Sequence, residues 1–179
     1  MSATPEILQQ DNPVLRKKAK LVELDMIGSP ELAKIFDDMR TAMNTQKDGV
    51  AIAAPQIGVS LQIFMVSGAV LSRADKDYKG DGKDLIFINP VITKYSREKK
   101  EVEEGCLSVR WLYGHIKRAT RVTLVALNEN GEEIERGASG LLAQIFQHET
   151  DHLKGTLFID KADEVWEMTE EEIKQAQGN

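Results

Sequence analysis

The segment Gln147–His152 contains two histidines and two acidic residues at a spacing that could bind a metal ion. His148 and His152 are four residues apart, so on a helix both imidazoles project from one face and could bind the same ion. Glu149 directly follows the first histidine and could take a proton from a water molecule at that ion. The pattern is H-E-x-x-H. Unrelated helices also match it, so a helix whose polar residues simply face water is an alternative.

The residues around this motif indicate a buried helix. Ser139 suits the N-cap position ahead of it, and Gly155 suits the left-handed position past its end. Its apolar side chains surround most of the helix, which is typical of a core helix; they are Leu141, Leu142, Ile145, Phe146 and Leu153. Unpaired histidine and glutamate side chains would carry a large desolvation cost there. A bound metal would remove that cost, and so would a network of buried hydrogen-bond partners.

Two histidines do not complete a catalytic zinc-like site, which usually takes three protein ligands and keeps one position for water. No further ligand follows the motif at the spacing of metzincin-type zinc proteases. Cys106, the single cysteine, is the natural candidate for the third ligand. Lone cysteines are often small buried apolar groups, so simple packing is the alternative. Gly105 precedes it, as expected where the backbone approaches another group closely.

The composition is that of a soluble globular protein. The chain has 179 residues, 41% hydrophobic and 29% charged, which fits one domain over residues 1–179. No run of eighteen apolar residues exists, and residues 1–20 lack the order of a signal peptide, so we expect a cytoplasmic protein without a membrane partner. The net charge of −6 argues against nonspecific nucleic-acid binding, and we expect no DNA partner.

Helix and strand signals alternate little along the chain. Ser29 and Pro30 begin a predicted helix that runs to about Thr45, and a Thr169–Glu172 capping box begins a short acidic C-terminal helix. Predicted strands precede the motif helix and include a hairpin around Asn130-Gly131; they are residues 61–67, 85–92, 121–127 and 132–136. The mixed-charge run 97–104 is predicted to be an exposed face. Clustered strands favour an α+β fold of mostly antiparallel sheets packed around the buried motif helix.

Three motifs in order resemble those of the peptide deformylases. Residues 49–58 are similar to the family's G-x-G-x-A-A-x-Q-x-G pattern, residues 104–108 read E-G-C-L-S, and residues 147–152 complete the set. The opening segment 11–16 is also similar to that of the family. The resemblance therefore extends from near residue 5 to about residue 160, and three ordered motifs are far more specific than one.

The resemblance implies a metal-dependent hydrolase that removes the N-formyl group from the initiator methionine of nascent polypeptides. Cys106, His148 and His152 would hold one divalent metal ion, and Glu149 would act as general base and then acid. Gln56 and the backbone N–H of Leu107 would stabilise the oxyanion. The family's working metal is usually Fe²⁺, and thiolate and imidazole ligands also suit Zn²⁺ or Ni²⁺.

The resemblance also implies a substrate cleft. Backbone near residues 49–53 and around Cys106 would pair with an extended peptide, and an apolar pocket would accept the methionine side chain. The implied substrate-binding residues are Gly49, Val50, Ala51, Gly105, Leu141 and Ile145. Glu104 is expected to pair with Arg118 beside the metal ligands rather than to bind the metal.

Two positions depart from the family pattern. Ala51 stands at the second glycine of the first motif; we expect an extended backbone there and a somewhat narrower cleft. Arg110 stands where many members have proline, and we expect it to change the rim of the cleft and leave the chemistry unchanged.

Two other functions are compatible with parts of the sequence. A zinc endopeptidase would explain H-E-x-x-H alone, but it would leave Cys106 and Gln56 unexplained. A catalytically idle deformylase-like module at the ribosome would be expected to have lost Glu149 or a ligand, and all are present. A transient ribosome contact is compatible with the resemblance, although the acidic tail from about residue 163 should be repelled by RNA.

Overall fold

The structure is a computed structural model that describes residues 5–75, 78–80 and 82–177. Its helices are α1 (Pro30–Asn44), α2 (Gly68–Ala74), α3 (Gly140–Leu153) and α4 (Glu170–Gln177). Its strands are β1 (Ala51–Ala53), β2 (Ile63–Val66), β3 (Leu85–Tyr95), β4 (Lys99–Cys106), β5 (Val109–Ala119), β6 (Arg121–Leu127), β7 (Glu133–Ser139) and β8 (Glu164–Glu167).

The strands form two antiparallel sheets. The larger has the order β1-β2-β3-β6-β7, and the smaller has the order β4-β5-β8. β1 and β4 are therefore edge strands of different sheets. The predicted α+β class with mostly antiparallel sheets and a short C-terminal helix is confirmed.

Strands β1 and β2 and the first half of β3 are buried on both faces because α1 and α3 pack on opposite sides of the larger sheet. Successive residues of a strand point to opposite faces. In β2, Phe64 and Val66 join the core on the α3 side, whereas Ile63 and Met65 join the core on the α1 side. This arrangement explains why β2 and β3 have continuous apolar runs rather than an alternating pattern.

Three aromatic rings join α3 to the sheet. Phe146 of α3 packs edge-on against Phe87 of β3 at a centroid distance of 5.1 Å, and Phe87 stacks on Phe64 of β2 at 4.7 Å. All three side chains are fully buried. The motif helix is thus fixed through its apolar side, as its sequence predicted, and its polar side faces the smaller sheet.

The strongest sequence signals predicted their elements well, and the mixed-charge segments did not. α1 has Ser29 as its N-cap, whose hydroxyl accepts from the Leu32 N–H at 3.1 Å, and β6 has the predicted bounds. Ser139 precedes α3 as predicted, but its side chain makes no capping hydrogen bond. The predicted exposed run 97–104 is largely strand β4, which contains a buried glutamate, Glu104. Strands β5 and β8 were also not predicted, whereas β1 lies within the segment 49–53 that was expected to be extended.

The acidic C-terminal segment is partly integrated into the smaller sheet. β8 pairs with β5, and Asp163 just before it lies 3.2 Å from Lys117. The predicted capping box is present, because the Glu172 carboxylate accepts from the Thr169 N–H at 2.8 Å. Across the described ranges, every helix is too short or too polar to cross a bilayer.

Gly155 ends α3 in the left-handed conformation predicted for it, with a φ of 76°. A Cβ atom there would lie 2.7 Å from the backbone of Arg16, so the N-terminal segment packs directly against this turn. Gly28 has a similar φ of 80°, but a Cβ atom added to it would meet open space, with no contact within 4 Å. A substitution at Gly28 would therefore cause only backbone strain, whereas a substitution at Gly155 would cause backbone strain and a steric clash.

We expect Gly28→Ala to lower the free energy of unfolding by about 1–2 kcal/mol, the usual cost of a left-handed non-glycine residue. Gly155→Ala should cost about 1–3 kcal/mol more, because the backbone of the N-terminal segment must move. Urea denaturation of both variants checks this. Equal losses in the two variants would mean that the N-terminal segment is not held against this turn.

Candidate active site

The polar side of α3 brings together the predicted metal-binding residues. His148 and His152 lie one turn apart, with ring centroids separated by 4.9 Å. The Cys106 Sγ atom at the end of β4 lies 3.2 Å from Nε2 of His152. One donor atom from each of the three residues lies within 4.8 Å of the others. This spacing suits three ligands of one ion with metal–ligand bonds of about 2.0–2.3 Å.

A bulge in the smaller sheet positions Cys106. Gly105 pairs with Tyr113 and Cys106 pairs with Val109, so one step along β4 corresponds to four along β5. Bulges bend a strand and redirect its side chains, and they are frequent beside active sites. The Tyr113 ring covers Gly105 so closely that a Cβ atom would lie 2.6 Å from it. Glycine at position 105 therefore allows the Tyr113 ring to approach the backbone closely, as the sequence analysis expected of this residue.

Buried charges orient His148. Its Nδ1 atom lies 2.9 Å from the Glu104 Oε2 atom, so Nδ1 carries the proton and Nε2 is free to bind a metal. Arg118 donates to both carboxylate oxygens of Glu104 at 2.8 and 2.9 Å, and to Asp151 Oδ2 at 2.7 Å. Asp151 also accepts from Lys161 at 2.6 Å. The network connects β4, β5 and α3 directly behind the predicted ligands.

The charge state of Glu104 follows from these contacts. Burial raises the pKa of its carboxyl, but hydrogen bonds from Arg118 and His148 outweigh burial and lower the pKa to about 2. Glu104 is therefore ionised in the neutral pH range. Both of its oxygens accept hydrogen bonds, which suits a residue that orients a histidine.

Glu149 has a different environment from Glu104. It is buried, and its Oε2 atom has no hydrogen-bond partner among the described residues. Burial is the main cause that raises the pKa of its carboxyl to about 7. Because an unpartnered buried carboxylate oxygen is costly, this atom is expected to meet a group supplied from the cleft. A cysteine sulfur, two imidazoles and a buried carboxylate with an unpartnered oxygen together fit a catalytic metal centre among the described residues.

The Gln56 side chain is held in one orientation. Its Oε1 atom accepts from the Ala53 N–H at 2.8 Å, and its Nε2 donates to Ser108 Oγ at 3.0 Å and lies 3.6 Å from Cys106 Sγ. The amide N–H groups therefore point toward the metal ligands. The Ser108 N–H also lies 3.4 Å from Cys106 Sγ.

A cleft next to these residues is formed by the edge strands of the two sheets. Most of the predicted substrate-binding residues line it, namely Val50, Ala51, Gly105, Leu141 and Ile145, together with Gln56, Leu107, His148 and Glu149. Gly49 does not. It lies in a tight turn in which a Cβ atom would be 2.3 Å from the Met43 carbonyl oxygen. Close chain packing therefore explains the glycine at this position, and a contribution of Gly49 to substrate binding stays a prediction.

The two departures from the family pattern have clear environments. Ala51 begins β1 and pairs with Val66, and it is not among the non-glycine residues with positive φ. The backbone there is extended, as expected. Arg110 lies on the β5 bulge and forms an ion pair with Asp48 at 2.6 Å, and Gln46 accepts from it at 2.8 Å. Arg110 is therefore part of the cleft rim, as predicted.

Some supporting residues were not predicted. Gln9 braces the β4–β5 turn, because its side chain donates to the Leu107 carbonyl at 3.1 Å and accepts from the Arg110 N–H at 3.3 Å. Ser108 and Asp151 lie inside the recognised motifs, so a buried role could have been suspected for both. Nothing in the sequence indicates that Gln9 or Lys161 reaches this region.

Comparison with known proteins supports the resemblance. The family model for polypeptide deformylase matches residues 4–167. A peptide deformylase of Pseudothermotoga lettingae is 44% identical over 149 residues, which cover 83% of this chain and 77% of that protein. The chain belongs to the polypeptide deformylase family. It is therefore a hydrolase of a metal-dependent family, and neither an endopeptidase nor an idle module is favoured.

Solved deformylase structures share the fold. A crystal structure from Thermotoga maritima has a TM-score of 0.77 at 34% identity and covers 91% of this chain and 100% of that one. A Met-Ala-Ser-bound class I type b peptide deformylase from Acinetobacter baumannii has a TM-score of 0.78 at 33% identity and covers 90% of this chain and 99% of that one.

We expect Arg118→Met to lower the free energy of unfolding by about 3–5 kcal/mol, because it leaves Glu104 and Asp151 buried without their main counter-charge. Lys34→Met is the matched control. It removes an exposed ion pair with Asp38 on α1, where the loss should be at most about 1 kcal/mol. Denaturant titrations at neutral pH compare the two. A loss in the Arg118 variant no larger than in the control would contradict a structural role for the buried network.

Proposed function

We propose that this chain removes the N-formyl group from formyl-methionyl nascent polypeptides and releases formate. The observation that carries the proposal is the buried, unpartnered carboxylate oxygen of Glu149, next to a cysteine and two histidines that can hold one ion. Family membership and the Met-Ala-Ser ligand of the Acinetobacter baumannii relative support a methionine-initiated substrate.

We assign the metal to Cys106, His148 and His152, with Fe²⁺ as the working ion and Zn²⁺ or Ni²⁺ compatible with the same ligands. When bound, such an ion supplies Lewis-acid activation of a water nucleophile and of the formyl oxygen. The proton on Nδ1 of His148 is held by Glu104, which keeps Nε2 available for coordination.

The side chains then have distinct roles. Glu149 takes a proton from a water molecule while the oxygen of that water bonds to the formyl carbon. The negative charge then develops on the former carbonyl oxygen. The Gln56 amide and the Leu107 N–H donate hydrogen bonds to that oxygen. Glu149 returns the proton to the amine nitrogen as the carbon–nitrogen bond breaks, which gives formate and a free N-terminus. Gln56 suits the donor role because its orientation is fixed by Ala53 and Ser108.

The cleft would hold the peptide between the two sheets. β1 and β4 are edge strands, so an extended peptide could pair with the backbone of either without a requirement for particular side chains. Ile145 is buried at the base of the predicted methionine pocket, and Val50 and Leu141 are partly exposed at its opening. This arrangement would give selectivity for the first residue and tolerance of those that follow.

We expect the proposed activity in the cytoplasm, because its substrates are nascent chains that emerge from the ribosome. Any transient ribosome contact would avoid the C-terminal segment, because Glu170, Glu171 and Glu172 begin α4 with only Lys174 to offset them. RNA phosphates would repel such a helix.

We expect Glu149→Gln to lower kcat for a formyl-Met-Ala-Ser peptide by about 10²- to 10⁴-fold, because glutamine cannot accept and return the proton. Bound metal should be unchanged, since Glu149 is not assigned as a ligand. Formate release and metal content, measured on anaerobically purified protein, check this. Glu101→Gln on the exposed face of β4 is the control and should behave as wild type.

Two outcomes would count against the proposal. Formate release by Glu149→Gln at near wild-type rate would remove Glu149 from its assigned role. Cleavage of internal peptide bonds in an N-acetylated analogue, without formate release from the formyl peptide, would favour the endopeptidase.

A further inference from the structure

Besides the metal ligands and Glu149, the cleft contains a group of charged side chains at its rim. Asp48 precedes β1 on one wall, and Arg110 and Glu103 belong to the β4–β5 hairpin on the other. None of these three side chains is explained by the chemistry of deformylation. All three nevertheless line the cleft that the proposed peptide substrate would occupy.

Arg110 is held across the cleft by the opposite wall. Its guanidinium donates to both carboxylate oxygens of Asp48, at 2.6 and 3.1 Å, and to Gln46 Oε1 at 2.8 Å. Its Cζ atom also lies 5.1 Å from the centroid of the Trp111 ring. Trp111 has a φ of 59°, a conformation that is uncommon for a non-glycine residue, and it lies on the β5 bulge. The bulge therefore places Arg110 against Asp48, although part of its side chain (21%) stays exposed.

The rim charges do not cancel. Arg110 offsets Asp48, whereas the exposed carboxylate of Glu103 has no ion pair among the described residues. Deeper in the cleft, Glu104 is neutralised by Arg118, and Glu149 is buried. The rim thus has two carboxylates and one guanidinium. The Asp48 side chain is about half exposed (49%), so its charge can still reach a passing peptide.

The Tyr113 hydroxyl inside the cleft experiences all three charges. Burial raises the pKa of Tyr113, Asp48 and Glu103 raise it further, and Arg110 lowers it. The same three charges should therefore act on a charged peptide side chain that lies close to Tyr113.

We propose that Asp48 and Arg110, paired across the cleft, determine which charge is accepted in the peptide residues that follow formyl-methionine. With a net negative rim, the wild-type protein should favour peptides with lysine over peptides with glutamate at the second or third position. The selectivity rests on the proposed deformylase function but uses side chains that take no part in the bond-breaking step.

The two members of the pair should shift selectivity in opposite directions. Asp48→Asn leaves Glu103 and Arg110, which balance, so the lysine-to-glutamate ratio of kcat/KM should fall toward one. Arg110→Gln leaves two carboxylates, so the ratio should rise. We expect each shift to be about 1.5- to 5-fold, the range expected for a partly exposed ion pair. The double variant restores the wild-type net charge and should return the ratio close to the wild-type value.

The experiment uses metal-loaded protein and C-terminally amidated peptides, so that only side-chain charge varies. Formyl-Met-Ala-Lys, formyl-Met-Ala-Gln and formyl-Met-Ala-Glu amides are compared with the same series substituted at the second position. Asp38→Asn and Arg16→Gln are the controls, because each removes one charge from an exposed ion pair outside the cleft. Raised salt should reduce the shifts, since exposed charges are screened.

Opposite shifts in the two single variants, absent from the controls, support the proposal. Shifts in the same direction, or ratios unchanged in both variants, overturn it. The affinities of unformylated Met-Ala-Lys and Met-Ala-Glu amides, measured by calorimetry, give the same ratio without turnover. Failure to release formate from the neutral peptide would therefore count against the proposed function, while the affinity ratio would still decide the charge selectivity.

Discussion

The arrangement of the site depends on one buried cation. Arg118 lies in β5 with its side chain almost fully enclosed, and it donates to Glu104 of β4 and Asp151 of α3. A guanidinium in such a place is stable only if its hydrogen bonds are satisfied by carboxylates of good geometry. The three elements that supply those groups must therefore meet at this point, and Glu104 then holds His148 in the orientation that a metal requires.

The second constraint is that α3 is fixed on both sides. Its apolar side packs through Phe146 into the aromatic cluster of the larger sheet, and its polar side faces the smaller sheet. A rotation of α3 about its axis would expose its apolar side chains to solvent or bury its polar side chains without hydrogen-bond partners. Cys106, delivered by the β4 bulge, can thus meet His152 at a defined distance. The cleft is a consequence of the same arrangement, because it lies between the edge strands of the two sheets.

The sequence predicted the parts of this structure that depend on local patterns. α1, β6 and the capping box of α4 follow from spacing and cap residues, and the identity of the family followed from three ordered motifs. β4 and β5 were not predicted as strands because their charged residues do not alternate with apolar ones. Their pairing is stabilised by Glu104 and Arg118, and such nonlocal compensation leaves little trace in a single sequence. The role of Gly49 is ambiguous in the sequence for a related reason, since a glycine needed for packing and one needed for a ligand look alike. That residues 1–179 form one domain stays a prediction.

The central claim is that Cys106, His148 and His152 hold one metal ion beside Glu149. Anomalous diffraction from anaerobically grown crystals, collected at the iron, nickel and zinc absorption edges, tests it most directly. The account predicts a single ion, iron in protein kept from oxygen, bonded to one sulfur and two Nε2 atoms at about 2.0–2.3 Å. Glu149 should lie outside the bonding distance. An ion bound through the Glu149 carboxylate, or a site that does not include Cys106, would contradict the account.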